Sequence, residues 1–189
     1  MRALYLIRHS LTEGNARRLY YGRTDLPLTE EGRLLALRRR GAVPDCDVCV
    51  SSGMLRADET LELMTGRKPD RVLPELREMD FGAFEMRSYE QLKDEPDYIR
   101  WIEDETGDVG CPGGETPNAF AARVRTGGAR LLRLPQASAV VVCHGGVIVK
   151  LMQAWFPRVE RHFYQWQPGP CAGYRIAVEG GAPVQFEEV

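Results

Sequence analysis

The chain has 189 residues, of which 43% are hydrophobic and 28% charged, and its formal net charge is −2. This composition is typical of a globular protein with a full core, and the near-neutral charge gives no indication of a surface for nucleic acid or for a membrane. The first residues show neither a long apolar segment nor a small-residue cleavage site, so no secretory signal is expected. The five cysteines have irregular spacings, which favours free thiols and a cytoplasmic location.

A buried strand near the amino terminus leads directly into two polar side chains. Residues 3–7 form a continuous apolar run, as expected of a strand covered on both faces of a parallel sheet. Arg8 and His9 follow it without a gap. A short helix over residues 12–19 and an ordered loop over residues 20–28 are predicted next.

The next two predicted helices flank a second strand. Thr29 precedes a helical pattern with acids in its first turn and arginines in its last, both of which favour a helix. Residues 47–52 form a short segment with β-branched side chains, which predicts a strand that runs into a small-residue turn. A helix over residues 54–65 follows, with Arg56 near its start.

The middle of the chain is less regular. Residues 72–82 predict a strand that leads into a structured loop, and residues around 82–114 predict a cap-like insertion with short helical pieces among acidic side chains. A long amphipathic helix is expected over residues 115–134. Residues 137–143 form the clearest buried strand of the chain, and His144 follows it directly.

The remaining elements complete an α/β pattern. Residues 147–156 are apolar and predict a helix, and residues 173–178 and 182–188 predict a hairpin or two antiparallel edge strands. Strands that alternate with helices favour a mostly parallel central sheet covered on both faces, which is a three-layer α/β/α arrangement. We expect residues 1–189 to form a single domain.

Polar side chains follow three of the predicted strands: Arg8 with His9, Arg56, and His144. The carboxyl ends of parallel strands lie at one edge of a sheet, where ligands bind, so these groups are expected to converge. Guanidinium groups match phosphate oxygens, and a neutral imidazole can attack phosphorus. Phosphoryl transfer needs mainly positioning and charge stabilisation, together with a carboxylic acid that protonates the leaving oxygen.

Six ordered motifs carry a resemblance to a known family: RHSLTEGN, GRTDLPLTEEG, SSGMLRADET, LREMDFGAFE, PGGET and CHGG. They resemble the successive signatures of the histidine phosphatase superfamily, in its phosphoglycerate-mutase-like branch. The resemblance extends from about residue 4 to residue 146. It implies a phosphoglycerate-mutase-like fold and a phosphatase or mutase that acts through a phosphohistidine.

The resemblance also implies roles for individual residues. His9 matches the phosphorylated nucleophile, Arg8 matches a phosphate ligand, and Arg56 and His144 complete the phosphate pocket. Such a site requires no metal and no other cofactor. Its partner is a small phosphorylated metabolite.

Two further positions match supporting groups of the family. Glu78, in LREMDFG, falls where the family has its proton donor, although Glu75, Asp80 and Glu85 lie close in sequence and geometry must separate them. Asn15 falls where the family has a polar contact near the phosphate.

The sequence departs from the family pattern at three positions. Ser10 stands where glycine usually follows the nucleophile. A positive φ there would cost serine roughly 1 kcal/mol, and otherwise its hydroxyl is expected to donate to the phosphate. Met86 replaces a common glycine, and Cys143 stands where a small hydroxyl residue is frequent.

The substrate is predicted from the loop and the insertion. Arg23, with tyrosines of the same loop and Tyr89, is expected to line the substrate pocket, although loop packing explains tyrosines equally well. Residues 93–110 are rich in acids, and over the cleft they would disfavour highly anionic substrates such as bisphosphoglycerate. This favours a phosphatase of small phosphomonoesters, and GRTDLPLTEEG resembles the loop of alpha-ribazole phosphatases.

Several alternatives stay open at this point. A bisphosphoglycerate-dependent phosphoglycerate mutase is a close variant of the same chemistry. A non-catalytic phosphate-binding regulatory domain is conceivable because of Ser10. The oligomeric state is open, with a homodimer as one alternative.

Overall fold

The computed structural model describes residues 2–189. The strands are β1 (Arg2–Arg8), β2 (Leu19–Tyr20), β3 (Val48–Ser51), β4 (Arg71–Val72), β5 (Arg87–Ser88), β6 (Ser138–Cys143), β7 (Gly173–Glu179) and β8 (Ala182–Glu188). The α-helices are α1 (Glu13–Ala16), α2 (Glu30–Arg38), α3 (Leu55–Thr65), α4 (Tyr89–Leu92), α5 (Pro96–Ile102), α6 (Pro117–Leu132), α7 (Gly145–Trp155) and α8 (Phe163–Trp166). Within residues 2–189, none of the helices combines the length and the apolar character that crossing a bilayer requires.

Six strands form the central sheet, in the order β4-β3-β6-β1-β7-β8. The first four strands of this order run parallel to their neighbours, while β7 and β8 are antiparallel additions at one side. The mostly parallel sheet and the antiparallel tail are therefore confirmed. The tail uses hairpin geometry, with two glycines of positive φ, Gly180 and Gly181, between its strands.

The sheet is covered on both faces, and β1 shows why its sequence is continuously apolar. Leu4 and Leu6 enter one hydrophobic cluster with side chains of α6 and α7. Tyr5 and Ile7 enter the other cluster with side chains of α2 and α3. Because successive side chains of a strand point to opposite faces, a strand between two helical layers needs apolar residues at every position.

Residues 72–82 were expected to hold a longer strand than they do. β4 has two residues, and two single-turn 3-10 helices, Pro74–Leu76 and Gly82–Phe84, replace its continuation. Pro74 has no backbone N–H, so it cannot extend the ladder. The irregular path brings the chain across the end of the sheet, towards the carboxyl ends of β1 and β6.

The region 82–114 packs through aromatic rings. β5 pairs with β2 in a separate two-stranded sheet. Tyr98 and Trp101 of α5 contact Tyr20 at ring-centroid distances of 5.7 Å and 5.8 Å, and Phe84 contacts both α5 rings. The short helices of this region therefore depend on tertiary contacts, since helices of this length are unstable alone.

The register of the parallel strands fixes where the candidate residues emerge. Arg8 of β1 is opposite Cys143 of β6, and the His9 N–H donates to the Cys143 carbonyl at 2.9 Å. Ser51 of β3 is opposite Val142 of β6. The residues that follow these three strands consequently emerge side by side at one edge of the sheet.

Candidate active site

His9 lies directly beyond β1 and is 4% exposed. Its Nδ1 atom is 2.7 Å from the carbonyl oxygen of Ser10. A carbonyl oxygen only accepts, so Nδ1 carries the hydrogen and Nε2 of the neutral ring keeps its lone pair. The ring therefore offers a nucleophilic nitrogen in a fixed orientation.

His144 is the N-cap residue of α7 and lies beside His9, with ring centroids 5.2 Å apart. Its Nε2 atom is 2.9 Å from the Ser52 hydroxyl. With Ser52 as the donor, the neutral His144 ring carries its hydrogen on Nδ1. That Nδ1 atom is buried and has no hydrogen-bond partner within residues 2–189. His144 is fully buried beside the pocket and, unlike His9, is not one of the residues that line it.

Burial and positive charge keep both imidazoles neutral. Burial is the largest cause that lowers the pKa of His9 well below its usual range, and the charges of Arg56 and Arg8 act in the same direction. Burial, followed by the charge of Arg56, likewise lowers the pKa of His144. Both rings are therefore unprotonated at neutral pH, as a histidine nucleophile requires.

Two arginines flank the histidines, and backbone carbonyls hold both. Arg8 donates from Nη1 to the Pro168 carbonyl at 2.9 Å. Arg56 is fully buried and donates from its two terminal nitrogens to the carbonyls of Gly22 and Thr24 at 2.9 Å and 3.0 Å. Burial lowers the pKa of Arg56, but a guanidinium stays protonated in proteins. Each arginine is thus a fixed cation with further donors available.

Buried polar atoms without partners cluster on these residues. Within residues 2–189, the buried side-chain nitrogens and oxygens that lack a hydrogen bond include Arg8 Nε, Arg56 Nε and His144 Nδ1. Buried polar groups in folded proteins are nearly always satisfied, and unsatisfied donors at one place indicate a site for an acceptor. Two of these donors are cationic, which indicates an anion.

Glu78 reaches the same place from the irregular segment after β4 and lines the pocket. Its Oε2 atom accepts from the Gly146 N–H at 3.0 Å, and its Oε1 atom accepts from the Met79 N–H at 3.0 Å. A Cβ at Gly146 would lie 2.5 Å from Glu78 Oε1, so any larger residue there would displace the carboxyl group. The carboxyl group is therefore positioned by the amino terminus of α7.

Geometry separates Glu78 from the neighbouring acids. Glu75 pairs with an arginine of α6, and Glu85 accepts backbone N–H groups of the loop that precedes Asp25. Asp80 lies 3.4 Å from Arg23, whose side chain is exposed and does not line the pocket. Arg23 is therefore not where the sequence placed it.

Asn15 lines the pocket as expected. Its Oδ1 atom accepts from the Thr12 N–H at 3.0 Å and from the Tyr21 hydroxyl at 2.9 Å. These contacts use the amide oxygen and leave the Nδ2 group, which is a donor, for a ligand. Tyr21 also holds Arg56, whose guanidinium carbon is 4.9 Å from the ring centroid.

Ser10 does not reach the pocket. Its hydroxyl donates to the Gly32 carbonyl at 2.7 Å, and its N–H donates to the Thr60 hydroxyl at 2.9 Å. Its φ is outside the left-handed region, so the backbone carries no strain of the kind considered from the sequence. The expectation that its hydroxyl binds phosphate is not met, because that hydroxyl links β1 to α2.

The rest of the pocket is aromatic. Tyr20, Tyr21 and Tyr89 line it as expected, whereas its other rings were not predicted from the sequence. Its volume is about 730 Å³, far more than a phosphate group needs. The insertion contributes Tyr89, Tyr98 and Trp101 to the pocket. Its acidic residues were expected over the cleft, but they do not line it. The helix α8 adds Phe163 and Tyr164. A four-residue helix shows no readable periodicity, which is why the sequence did not predict α8.

Within residues 2–189, no group of three or more His, Cys, Asp or Glu side chains is arranged to hold a metal ion. The positive charge at the pocket comes from side chains: Arg8, Arg56 and Lys150 line it. Gln167 is a further lining residue that no motif indicated.

The chain matches the profile of a protein family described as "Histidine phosphatase superfamily (branch 1)" over residues 4–186. This chain belongs to the histidine phosphatase superfamily.

Relatives of this member of the superfamily carry two kinds of name. It is 37% identical over 158 residues to "Adenosylcobalamin/alpha-ribazole phosphatase" of Salmonella typhimurium, with 79% of this chain and 77% of that protein covered. It is 31% identical over 200 residues to "Probable phosphoglycerate mutase GpmB" of Enterobacter sp. (strain 638), with 95% and 93% covered.

The names of similar solved structures also divide between alpha-ribazole phosphatase and phosphoglycerate mutase. The alpha-ribazole phosphatase from Shigella flexneri superimposes with a TM-score of 0.86 at 28% identity, and covers 96% of this chain and 93% of its own. The phosphoglycerate mutase from Thermus thermophilus has a TM-score of 0.73 at 36% identity, with 97% of each chain covered. The family and its phosphoglycerate-mutase-like fold are therefore established.

Met86 has a φ of 61° and follows Glu85, whose carboxylate accepts hydrogen bonds from the backbone of residues 22–24. This left-handed conformation suits glycine and strains a methionine. Cys143 is fully buried in the core next to His144 and presents no group to the pocket.

Proposed function

We propose that this histidine phosphatase hydrolyses phosphomonoesters through a phosphohistidine formed at Nε2 of His9. The unsatisfied donors of Arg8, Arg56 and His144 carry this proposal. A tetrahedral phosphate beside His9 would supply acceptors for all three. Asn15 Nδ2 is a fourth candidate donor, since its amide oxygen is already engaged.

In the first step, the lone pair of His9 Nε2 attacks phosphorus in line with the ester oxygen. The Nε2–P bond forms and the P–O bond to the alcohol breaks. Glu78, in its protonated form, donates its proton to the departing alkoxide. Arg8 and Arg56 neutralise charge on the equatorial oxygens, and the neutral His144 adds a hydrogen bond from Nδ1.

In the second step, water attacks the phosphorus of the phosphohistidine. Glu78, now ionised, accepts a proton from that water, and the P–Nε2 bond breaks with its electron pair returning to His9. Inorganic phosphate is released and Glu78 is again protonated. The hydrogen bond from His9 Nδ1 to the Ser10 carbonyl keeps the ring in the attacking orientation in both steps.

The small number of cationic side chains in the pocket favours hydrolysis over mutase activity. Among residues 2–189, the cationic side chains that line the pocket are Arg8, Arg56 and Lys150. A bisphosphoglycerate-dependent mutase holds a second phosphate and a carboxylate while the first phosphate occupies both arginines. One lysine is a poor match for those additional negative charges.

The pocket supports a substrate with a bulky, flat alcohol portion. Its walls carry rings from α5, α6 and α8, including Trp101, Phe120 and Phe163. Alpha-ribazole 5'-phosphate is such a compound and is our first candidate, in keeping with the names of the relatives. The binding-module alternative is weakened, because the strain expected at Ser10 is absent.

The test is hydrolysis of p-nitrophenyl phosphate in the presence of EDTA. We expect turnover by the wild type, loss of at least about a thousandfold in His9→Ala, and full activity in Lys68→Ala, an exposed control outside the pocket. Wild type quenched in alkaline denaturant, which preserves the acid-labile P–N bond, should carry phosphate on His9, detected by mass spectrometry. A pure, folded wild type without turnover would favour the binding module instead. Parallel assays with alpha-ribazole 5'-phosphate, and with 3-phosphoglycerate plus bisphosphoglycerate, separate the substrates.

A further inference from the structure

The helix α7 presents two groups to the pocket on the same side. The Gly146 N–H holds Glu78, and Lys150 follows four residues later and lines the pocket. Residues four apart on a helix are neighbours on one face, about 5–6 Å apart. Lys150 therefore lies one turn beyond the proton donor, on the side where the alcohol portion of a substrate would extend.

Lys150 is a half-buried cation without a carboxylate partner. Among residues 2–189 it forms no ion pair. Burial, followed by the charge of Arg125, lowers the pKa of its ammonium. Lysine side chains are seldom buried to this degree without a partner.

The surroundings strengthen any contact made by this ammonium. Phe120, Phe163 and Tyr164 line the same pocket, and an apolar wall lowers the local dielectric constant. A single positive charge in such a wall is best matched by a single negative charge. The aromatic rings that line the same pocket favour a planar group that carries that charge.

Resting on the proposed function, we propose that Lys150 makes the pocket prefer phosphomonoesters whose aromatic alcohol portion carries a carboxylate over those without one, alpha-ribazole 5'-phosphate included. The phosphate of such a substrate occupies the arginines, its ester oxygen lies at Glu78, and its carboxylate reaches Lys150. A second phosphate in place of the carboxylate would leave one negative charge unmatched.

The experiment compares two esters that differ in the carboxylate alone, phenyl phosphate and 4-carboxyphenyl phosphate. We expect the wild type to favour the carboxylated ester about tenfold in kcat/KM, equivalent to ~1.4 kcal/mol. In Lys150→Met this preference should fall to about one, chiefly through KM, and Lys150→Arg should retain most of it. Lys68→Met, which removes an exposed lysine outside the pocket, should keep the wild-type ratio.

The outcomes separate this inference from the proposed function. A wild-type ratio of one or less, or a ratio that Lys150→Met leaves unchanged, would overturn the role of Lys150 while leaving the hydrolase intact. Failure to hydrolyse either ester would instead remove the proposed function. Circular dichroism and the thermal midpoint show whether Lys150→Met is folded, and Lys150→Gln serves as the second variant.

Discussion

The contact between Gly146 and Glu78 allows the proton donor to be tested without removing it. In Gly146→Ala, the new Cβ would lie 2.5 Å from Glu78 Oε1 and 3.2 Å from its Cδ. Ordinary van der Waals contact begins at 3.4 Å, so the carboxyl group must retreat by roughly 0.9 Å. The fold should tolerate the change, because Gly146 is in a helix without positive φ and alanine favours helices by about 1 kcal/mol over glycine.

The displacement is large on the scale of catalysis. A shift of about 1 Å in a catalytic group can lower the rate on the order of a hundredfold. The retreat also lengthens or breaks the bond from the Gly146 N–H to Glu78 Oε2, now 3.0 Å. We therefore expect kcat to fall on the order of a hundredfold for esters whose alkoxide needs a proton.

The leaving group makes this effect specific to proton donation. A p-nitrophenolate ion leaves readily without protonation, whereas an alkyl alkoxide does not. We expect Gly146→Ala to depress kcat strongly for an alkyl phosphate and by less than about fivefold for p-nitrophenyl phosphate. Glu78→Gln should show the same contrast. Gly169→Ala, where a Cβ meets no atom within 4 Å, is the matched control and should leave both rates unchanged.

Equal losses with both esters would refute this reasoning. That result would mean that the alanine disturbs the phosphate site or the helix terminus rather than the acid. An unchanged rate with the alkyl ester would show that Glu78 is not the donor, since its displacement would then have no consequence.

Three further predictions concern stability and the histidines. Met86→Gly should raise the free energy of unfolding by about 0.5–1 kcal/mol in urea, because it relieves the positive φ, and Met86→Ala should not. Ser52→Ala leaves His144 Nε2 without its partner, so we expect a loss of about 1–3 kcal/mol in stability and a fall in kcat, with partial recovery in Ser52→Thr. The lowered pKa values of His9 and His144 mean that the unfolded chain binds protons below about pH 6.5 that the native protein does not. The contribution of these histidines to the free energy of unfolding should therefore decrease as the pH falls from about 7 to 5. The rate of single-turnover phosphorylation of His9 should stay constant down to about pH 6. Urea unfolding of the wild type and of His144→Gln checks this, because the carboxyl contributions cancel in the difference between them. A difference that favoured the wild type increasingly towards pH 5 would contradict this assignment.

The convergence of the candidate residues could be predicted because it depends on backbone topology. Parallel strands bring their carboxyl ends to one edge, so side chains that follow β1 and β6 must meet wherever they stand in sequence. His9 and His144 follow those strands directly, and their rings lie 5.2 Å apart. The motif resemblance added Glu78, which an irregular segment delivers and which periodicity could not have found.

What the sequence did not predict depends on packing between distant residues. The Ser10 hydroxyl is used by Gly32, 22 positions away, and no local pattern shows that partner. The acids of the insertion stand out in the sequence, yet the rings of Tyr98 and Trp101 face the cleft, because apolar area is buried more readily than charge. Lys150 interrupts an apolar helical stretch, and the sequence alone does not show that it lines the pocket.

The way the arginines are held explains how the site keeps its affinity for an anion. An arginine fixed by a carboxylate would have its charge cancelled before a phosphate arrived. Arg8 is instead anchored by the Pro168 carbonyl and, among residues 2–189, forms no ion pair. Arg56 is held by two loop carbonyls at 2.9 Å and 3.0 Å, while Asp25, its nearest carboxylate, is 41% exposed and 3.6 Å away. Neutral anchors fix the geometry and leave the positive charge for the ligand, and the same contacts tie the loop over residues 22–24 to the site. The loop is therefore part of the phosphate site through its backbone rather than through Arg23.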